Sequence, residues 1–131
     1  DSQQLELLGS DDTKFRPAEF SIPHMFDFWG EVIGKSVGQG YQFTRLSAEA
    51  AWWGPQLPGD EALIEYESAL NTFNTAHPVA ILCLYDSGQC SGSLIMDVIK
   101  THPRTLLNGL VFDNPYYLDP DALAVDRRSR R

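Results

Sequence analysis

Residues 79–86, VAILCLYD, are the stretch that decides the fold of this chain. The stretch holds an unbroken apolar run that begins after His77-Pro78 and ends at Asp86, which gives it the length of one β-strand. An apolar run without alternation is typical of a parallel strand that other layers cover on both faces. We therefore predict that this segment is an inner strand of an α/β sheet.

Helix-period segments lie on either side of this strand. The helix before it places Leu63, Tyr66, Leu70 and Phe73 on one face, with Asp60 as its predicted N-cap. The alternation of such helices with strands predicts an α/β fold of three layers, with a mainly parallel sheet and helices on both faces. Further helices are predicted to start at Ser21 and at residues 91–93, and further strands at residues 5–8, 41–49 and 105–112.

Length and charge bound the class of protein. The sequence has 131 residues, a formal net charge of -8 and 43% hydrophobic residues. These values predict one domain at residues 1–120, followed by a basic tail or linker at residues 121–131. The negative charge argues against a nucleic-acid partner, because phosphate binding requires basic surface. No apolar run reaches the roughly 20 residues of a membrane span and no signal-peptide pattern occurs, so we expect a cytoplasmic protein without membrane contact.

The motifs of common enzyme sites do not occur in the sequence. There is no GxxxxGK[ST] or GxGxxG loop, which argues against ATP hydrolysis. His24, His77 and His102 lack the spacing of metal ligands, so we predict no metal site and no cofactor. Cys83 lies inside the apolar strand, where a thiol stays protonated, and this argues against a nucleophilic pair with His102. The sequence therefore predicts no catalytic residues and no enzyme activity.

Polar and aromatic residues lie near the predicted strand ends, where α/β proteins bind ligands. Arg45 and Glu49 share one strand at even spacing and therefore project from the same face. The alternative reading is that Arg45 pairs with Glu49 or Asp86 and that the tyrosines close the core. Trp52, Trp53 and Tyr117 are candidates for a protein interface. The ligand-binding candidates are Arg45, Glu49, Tyr85, Asp86, His102, Asn114 and Tyr116.

Five short segments, in order, carry a resemblance to one family. Residues 45–52 are similar to an R-x-[ST]-G-E-M-x-W element, and residues 63–71 to L-x-E-Y-E-x-x-L-N. Residues 83–86 resemble C-x-Y-D, and residues 101–103 and 114–117 complete the series. Together they resemble the MEDS family, the methanogen/methylotroph DcmR sensory domain, over about residues 5–120.

The resemblance implies a sensory input domain of prokaryotic signal-transduction or transcription-regulation proteins, with a fold that is a degenerate relative of RecA/KaiC-like ATPases. A small-molecule ligand or a signalling partner protein would then bind at the strand carboxyl ends. Members usually begin with a further strand–helix unit that is not found here, and Ala48 stands where the family prefers Gly. Two alternatives stay open: a docking or homodimerisation module without a ligand, and a degenerate nucleotide-binding ATPase relative.

Overall fold

The computed structural model describes residues 4–9, 20–50 and 59–131. In these parts of the chain, helices and strands alternate up to a hairpin, and one more helix follows. Their bounds in chain order are α1 Ile22–Gly38, β1 Thr44–Glu49, α2 Asp60–Ala76, β2 Val79–Leu84, α3 Gly92–Thr101, β3 Arg104–Leu107, β4 Leu110–Asp113 and α4 Pro120–Ser129.

Local capping determines where the helices begin. The Ser21 hydroxyl accepts a hydrogen bond from the backbone N–H of His24 at 3.3 Å, and Ser91 caps α3 in the same way. Helix α2 begins differently, because its N-cap is Gly59, with a φ of 88° and no side-chain cap hydrogen bond. The predicted cap at Asp60 is therefore wrong. Asp60 lies in the first turn instead, where the helix dipole favours its negative charge.

Strands β1 and β2 pair in parallel, with Leu46 opposite Ile81 and Ala48 opposite Cys83. Helix α2 is the crossover between them, so this part of the chain is one β–α–β unit. The predicted parallel sheet is confirmed for this pair of strands.

Strands β3 and β4 form an antiparallel hairpin in the region that was predicted as one strand over residues 105–112. The turn residues are Asn108, with a φ of 49°, and Gly109, with a φ of 79°. A two-residue hairpin turn of type I′ requires positive φ at both positions, and Asn-Gly adopts it readily. The prediction of a single strand is wrong, because it followed the apolar residues and overlooked the turn-forming pair Asn108-Gly109. The strand predicted at residues 5–8 is also wrong, since these residues are exposed and outside any helix or strand.

Most of the buried apolar side chains of the described residues form two clusters, and α2 contributes to both. The indole N–H of Trp29 donates to the Tyr66 hydroxyl at 2.7 Å, which satisfies both polar tips inside the core. Helix α2 therefore packs against α1 and β2 on one side and against α3 and α4 on another. The first cluster is Met25, Trp29, Ile33, Tyr66, Leu70, Phe73 and Val79, and the second is Ile64, Val98 and Leu123.

One face of the β1–β2 sheet is packed and the other is open. Leu46, Ile81 and Cys83 pack against the first cluster. On the opposite face Leu82 and Leu84 are 40% and 45% exposed. Within the described ranges, the helices that pack on this sheet lie on one face only. The fold is α/β with a parallel strand pair, and the predicted three-layer arrangement with helices on both faces is not confirmed.

The C-terminal residues form a helix that packs on the domain. Leu123 of α4 is 2% exposed in the second cluster, and Lys100 of α3 donates to Asp126 at 2.9 Å. The domain boundary at residue 120 stays a prediction, but residues 121–129 were not expected to be helical. No helix in the described part of the chain is long and apolar enough to cross a membrane.

Candidate functional site

A buried carboxylate lies in the middle of helix α2. Glu67 is 6% exposed, whereas Glu65, two residues earlier, is exposed. Residues two apart on a helix point in different directions, which explains the contrast. Because transfer of an ionised carboxylate out of water is costly, a buried glutamate requires hydrogen-bonding partners.

Three side chains from other elements supply those partners. The Tyr85 hydroxyl donates to Oε1 of Glu67 at 2.5 Å, and the Cys83 thiol donates to Oε2 at 3.4 Å. The imidazole Nε2 of His102 lies 3.4 Å from the same Oε2. We call Glu67, Cys83, Tyr85 and His102 the Glu67 cluster. It joins the middle of α2, the carboxyl end of β2 and the C-terminus of α3.

The local structure explains how these side chains meet. Cys83 lies in β2 and Tyr85 directly follows it, and since side chains alternate along a strand both point to the packed face. His102 is the C-cap of α3. Asn114 holds this helix end, because its amide donates to the carbonyls of Ile99 at 2.7 Å and His102 at 2.8 Å.

The contacts of His102 fix the orientation of its ring. Its Nδ1 lies 2.8 Å from the carbonyl oxygen of Val98, and a carbonyl can only accept. Nδ1 therefore carries a proton, and Nε2 is the ring nitrogen that faces Glu67. The hydroxyl of Thr101 also lies 2.9 Å from Nδ1 and donates to Val98 in turn.

The environment keeps two members of the cluster protonated. Burial, and then the negative charge of Glu67, raise the pKa of the Cys83 thiol well above its ordinary value. The same two causes raise the pKa of the Tyr85 hydroxyl even further. Without a bound metal ion, the Cys83 thiol and the Tyr85 hydroxyl therefore remain hydrogen-bond donors to the Glu67 carboxylate at neutral pH.

The cluster brings together atoms of the kinds that bind metal ions. One ligand atom each from Glu67, Cys83 and His102 lie within 4.8 Å of one another. No metal site was predicted from the sequence, because its histidines lack the spacing of metal ligands, and this stays a prediction. The three side chains come from α2, β2 and the end of α3, which meet because α2 packs on both of the other elements.

The predicted ligand-binding residues divide into groups in the structure. Tyr85 and His102 meet, with ring centroids 6.4 Å apart in an edge-on arrangement. Asp86 closes the turn after β2, where it accepts from the backbone N–H of Gly88 at 2.8 Å. Asn114 uses its side chain to hold the end of α3, as described above. The predicted residues therefore do not line a single pocket, although Tyr85 and His102 do meet in the Glu67 cluster.

The remaining candidates lie elsewhere. Arg45 and Glu49 are exposed on the open face of β1, where the Arg45 guanidinium lies 5.6 Å from the ring centroid of Phe43. Tyr116 is 65% exposed. Tyr117 is half-buried, and Trp52 and Trp53 lie outside the described residues.

Glu67 and Cys83 are the members of the cluster that the predicted site left out. A signal for Glu67 was present, because it lies three residues after Ile64 and therefore on an inward-facing side of α2. Cys83 was assigned to the core, which its packing confirms, but its sulfur also contacts the Glu67 carboxylate.

A protein-family model matches most of the chain. The model of the MEDS family, the methanogen/methylotroph DcmR sensory domain, matches residues 1–103 of the 131-residue chain. The chain belongs to the MEDS family. The MEDS match includes all four residues of the Glu67 cluster and ends before β3, so Asn114 and Tyr116 lie beyond it. Comparisons with curated proteins and with solved structures gave no match.

Proposed function

We propose that this MEDS domain is a sensory input domain of a prokaryotic signal-transduction or transcription-regulation protein, and that its ligand acts at the Glu67 cluster. The observation that carries this proposal is the Glu67 carboxylate itself, 6% exposed and contacted by groups from two other elements. A core built for stability alone gains little from a buried charge. A buried polar cluster whose hydrogen bonds change when a ligand binds is a suitable sensor.

The connections of His102 support a route from the cluster to the rest of the domain. Asn114 binds the carbonyl of His102, and the backbone N–H of Leu118 binds the carbonyl of Lys100 at 2.9 Å. The end of α3 is thereby tied to the segment between the hairpin and α4. A ligand that displaces His102 from Glu67 would shift this segment from one arrangement to another. The size of the shift depends on how much more tightly the ligand binds the second arrangement than the first. The output would then be read from the hairpin or from α4.

Two finer features belong to the same proposal. The β1–α2–β2 unit is compatible with a degenerate RecA-like fold, in which ligands bind near strand carboxyl ends. We also propose that the domain acts without catalysis, because the sequence has no phosphate-binding loop. Calorimetric titration with ATP and Mg²⁺ should give no binding heat. A clear heat would favour the degenerate ATPase relative instead.

A ligand screen tests the sensory site. The full chain is heated with a panel of small neutral, anionic and cationic compounds, and the unfolding temperature is recorded. A ligand of the cluster should raise this temperature in the wild type and in Arg45→Ala, whose side chain lies on the open face, but not in Tyr85→Phe. Compounds that act equally on Tyr85→Phe would place the site elsewhere. If no compound shifts the wild type, the small-ligand proposal fails.

A second candidate function is homodimerisation through the open face of the sheet. It is favoured by the exposure of Phe43, Leu82 and Leu84, which are 40% to 48% exposed. A second copy of the chain is the occupant to test, by light scattering over a hundredfold range of concentration. A dimer that Leu82→Lys with Leu84→Lys abolishes would support it, and a chain that stays monomeric throughout would exclude it.

A further inference from the structure

We propose that Glu67, Cys83 and His102 bind a divalent transition-metal ion of the zinc type, with Tyr85 positioning the carboxylate. This inference rests on the proposed function in one respect, since it names the class of ligand at the same cluster. The donor atoms are a carboxylate oxygen, a thiol sulfur and an imidazole nitrogen. Zn²⁺ binds all three types, and sites with three protein ligands leave a fourth position open for water or a small molecule.

The spacing of the donor atoms fits a tetrahedral ion. Bond lengths of about 2.0–2.1 Å to nitrogen and oxygen and about 2.3 Å to sulfur place tetrahedral ligand atoms roughly 3.3–3.6 Å apart. Oε2 of Glu67 lies 3.4 Å from both Sγ of Cys83 and Nε2 of His102. The third separation, from Cys83 to His102, is within 4.8 Å. That pair would approach by no more than about 1.5 Å to complete the geometry.

The orientation of His102 is compatible with metal binding. Because Nδ1 is bound to the carbonyl of Val98, Nε2 is the nitrogen left to face Oε2 of Glu67 at 3.4 Å. A metal ion would bind to the lone pair of the unprotonated Nε2 and to Oε2 of Glu67.

The surroundings supply the supporting contacts that metal ligands require. A histidine that binds a metal through one nitrogen usually donates its other N–H to a carbonyl or carboxylate, as His102 does to Val98. The Tyr85 hydroxyl binds Oε1 of Glu67 and leaves Oε2 to face the other ligands. The His102 side chain is 23% exposed, which gives an ion a path from solvent.

The charges of the bound site balance. The ion would bind the Cys83 sulfur as a thiolate, so the thiol proton leaves to solvent as the metal–sulfur bond forms. One thiolate, one carboxylate and a neutral imidazole then carry two negative charges against the two positive charges of the ion. A neutral assembly avoids the cost of burying an uncompensated charge.

Cobalt is the first probe, because Co²⁺ replaces Zn²⁺ and has a visible spectrum. The full chain, stripped with a chelator, is titrated with Co²⁺ and then with Zn²⁺. We expect one equivalent to bind, a sulfur-to-cobalt charge-transfer band to appear in the near ultraviolet, and Zn²⁺ to remove it. Absence of the band from the folded wild type would overturn the proposal.

Matched variants locate the site. Cys83→Ser should abolish the band, whereas Cys90→Ser should keep it, since Cys90 lies in the turn before α3 and outside the cluster. Tyr85→Phe should weaken Co²⁺ binding about 10- to 100-fold, as expected for loss of a contact that orients a ligand. Circular dichroism confirms the folding of each variant. A band that survives Cys83→Ser and disappears in Cys90→Ser would also contradict the proposal.

Thiol labelling tests the same site without substitutions. The wild-type chain is alkylated with iodoacetamide, with and without Zn²⁺, and its peptides are weighed by mass spectrometry. Zn²⁺ should slow labelling of Cys83 at least about 10-fold, because the metal-bound sulfur is not free to react, and Cys90 serves as the internal reference. Equal rates at Cys83 with and without Zn²⁺ would contradict metal binding at the cluster.

The results separate this inference from the proposed sensory function. If Zn²⁺ fails to bind but other compounds stabilise the chain through Tyr85, the metal assignment is wrong and the sensory site stands. If Zn²⁺ binds and hydrogen exchange in the hairpin and α4 is the same with and without it, the site is structural and the ion is not the signal.

Discussion

The hydroxyl of Tyr85 donates a hydrogen bond of 2.5 Å to Oε1 of Glu67, across 18 positions of the sequence. It joins the residue that follows β2 to the middle of α2, the helix that both core clusters share. The same carboxylate contacts Cys83 and His102 through its other oxygen. One buried side chain therefore connects α2 with the carboxyl end of β2 and with the end of α3.

Removal of the Tyr85 hydroxyl tests how strongly Glu67 depends on it. Tyr85→Phe leaves Oε1 buried without this donor, which should lower the free energy of unfolding by about 1–3 kcal/mol. The measurement is urea denaturation of the metal-free chain. Tyr116→Phe is the matched control, because Tyr116 is 65% exposed, and it should change stability by less than about 0.5 kcal/mol. Equal effects of the two substitutions would show that Glu67 does not need this hydrogen bond.

Asn114 should stabilise the end of α3 through its side-chain amide. In Asn114→Ala the carbonyls of Ile99 and His102 lose their amide donor, and we expect a loss of about 1–3 kcal/mol in unfolding free energy. Amides near the C-terminus of α3 should also exchange faster with deuterium. Asn108→Gly removes an amide from the hairpin turn and keeps its positive φ, so it should leave α3 unchanged. Protection of α3 that is unaffected in Asn114→Ala would contradict this role.

The hairpin turn should require glycine at its second position. Gly109 has a φ of 79°, where a Cβ is unfavourable, so Gly109→Ala should cost roughly 1–2 kcal/mol in hairpin stability. Faster hydrogen exchange of the β3 and β4 amides would report it. Gly92→Ala is the control, because Gly92 begins α3 and an added Cβ meets nothing within 4 Å. If both variants exchange alike, the turn does not constrain the hairpin.

The contact between α3 and α4 should weaken in acid. The hydrogen bond from Lys100, together with the charges of Lys100 and Arg130, lowers the pKa of Asp126 below its ordinary value of 3.8. Arg130 in turn also pairs with Asp97 of α3. Because the folded-state pKa is the lower one, the stabilisation is fully present above the ordinary value. It is lost as the pH falls through the lowered folded-state pKa.

Urea denaturation of the wild type and of Asp126→Asn between about pH 2 and pH 7 measures this effect. The range extends about two pH units below and three above the ordinary pKa of an aspartate. The wild type should be the more stable at neutral pH, and the difference should shrink below about pH 4. Asp113→Asn is the control, because Asp113 pairs with Arg104 at the surface, where ion pairs contribute little. A stability difference that persists unchanged in acid would refute the role of the Asp126 charge.

Local signals in the sequence predicted the elements that depend on local forces. The apolar run of β2, the helical stripe of α2 and the cap at Ser21 all appear where they were expected. The Asn108-Gly109 turn was missed, although its signal is equally local, because the apolar residues on both sides of it were read as one strand. Membership of the MEDS family was also predicted from short segments and is confirmed.

The candidate site could be predicted only in part. Tyr85 and His102 were expected near a strand end and do meet, but Arg45 and Glu49 project from the opposite, open face. Strand parity explains this separation, since Arg45 and Glu49 have the outward parity of β1, whereas Cys83 has the inward parity of β2. The residue numbers along a strand show which side chains share a face. They do not show which of the two faces the helices cover.

The sequence by itself determined the family, the β1–α2–β2 order and the residues able to do chemistry, because periodicity, capping and residue type are local properties of the chain. Only the tertiary structure decided that Glu67 is buried and that Cys83 and His102 meet at its Oε2. Whether a polar residue of a helix is buried depends on which sides of the helix are covered by other elements. Helix α2 is covered on two sides, and Glu67 lies on a covered side. The convergence of these groups follows from the packing of α2 on β2 and on α3, which no single segment specifies.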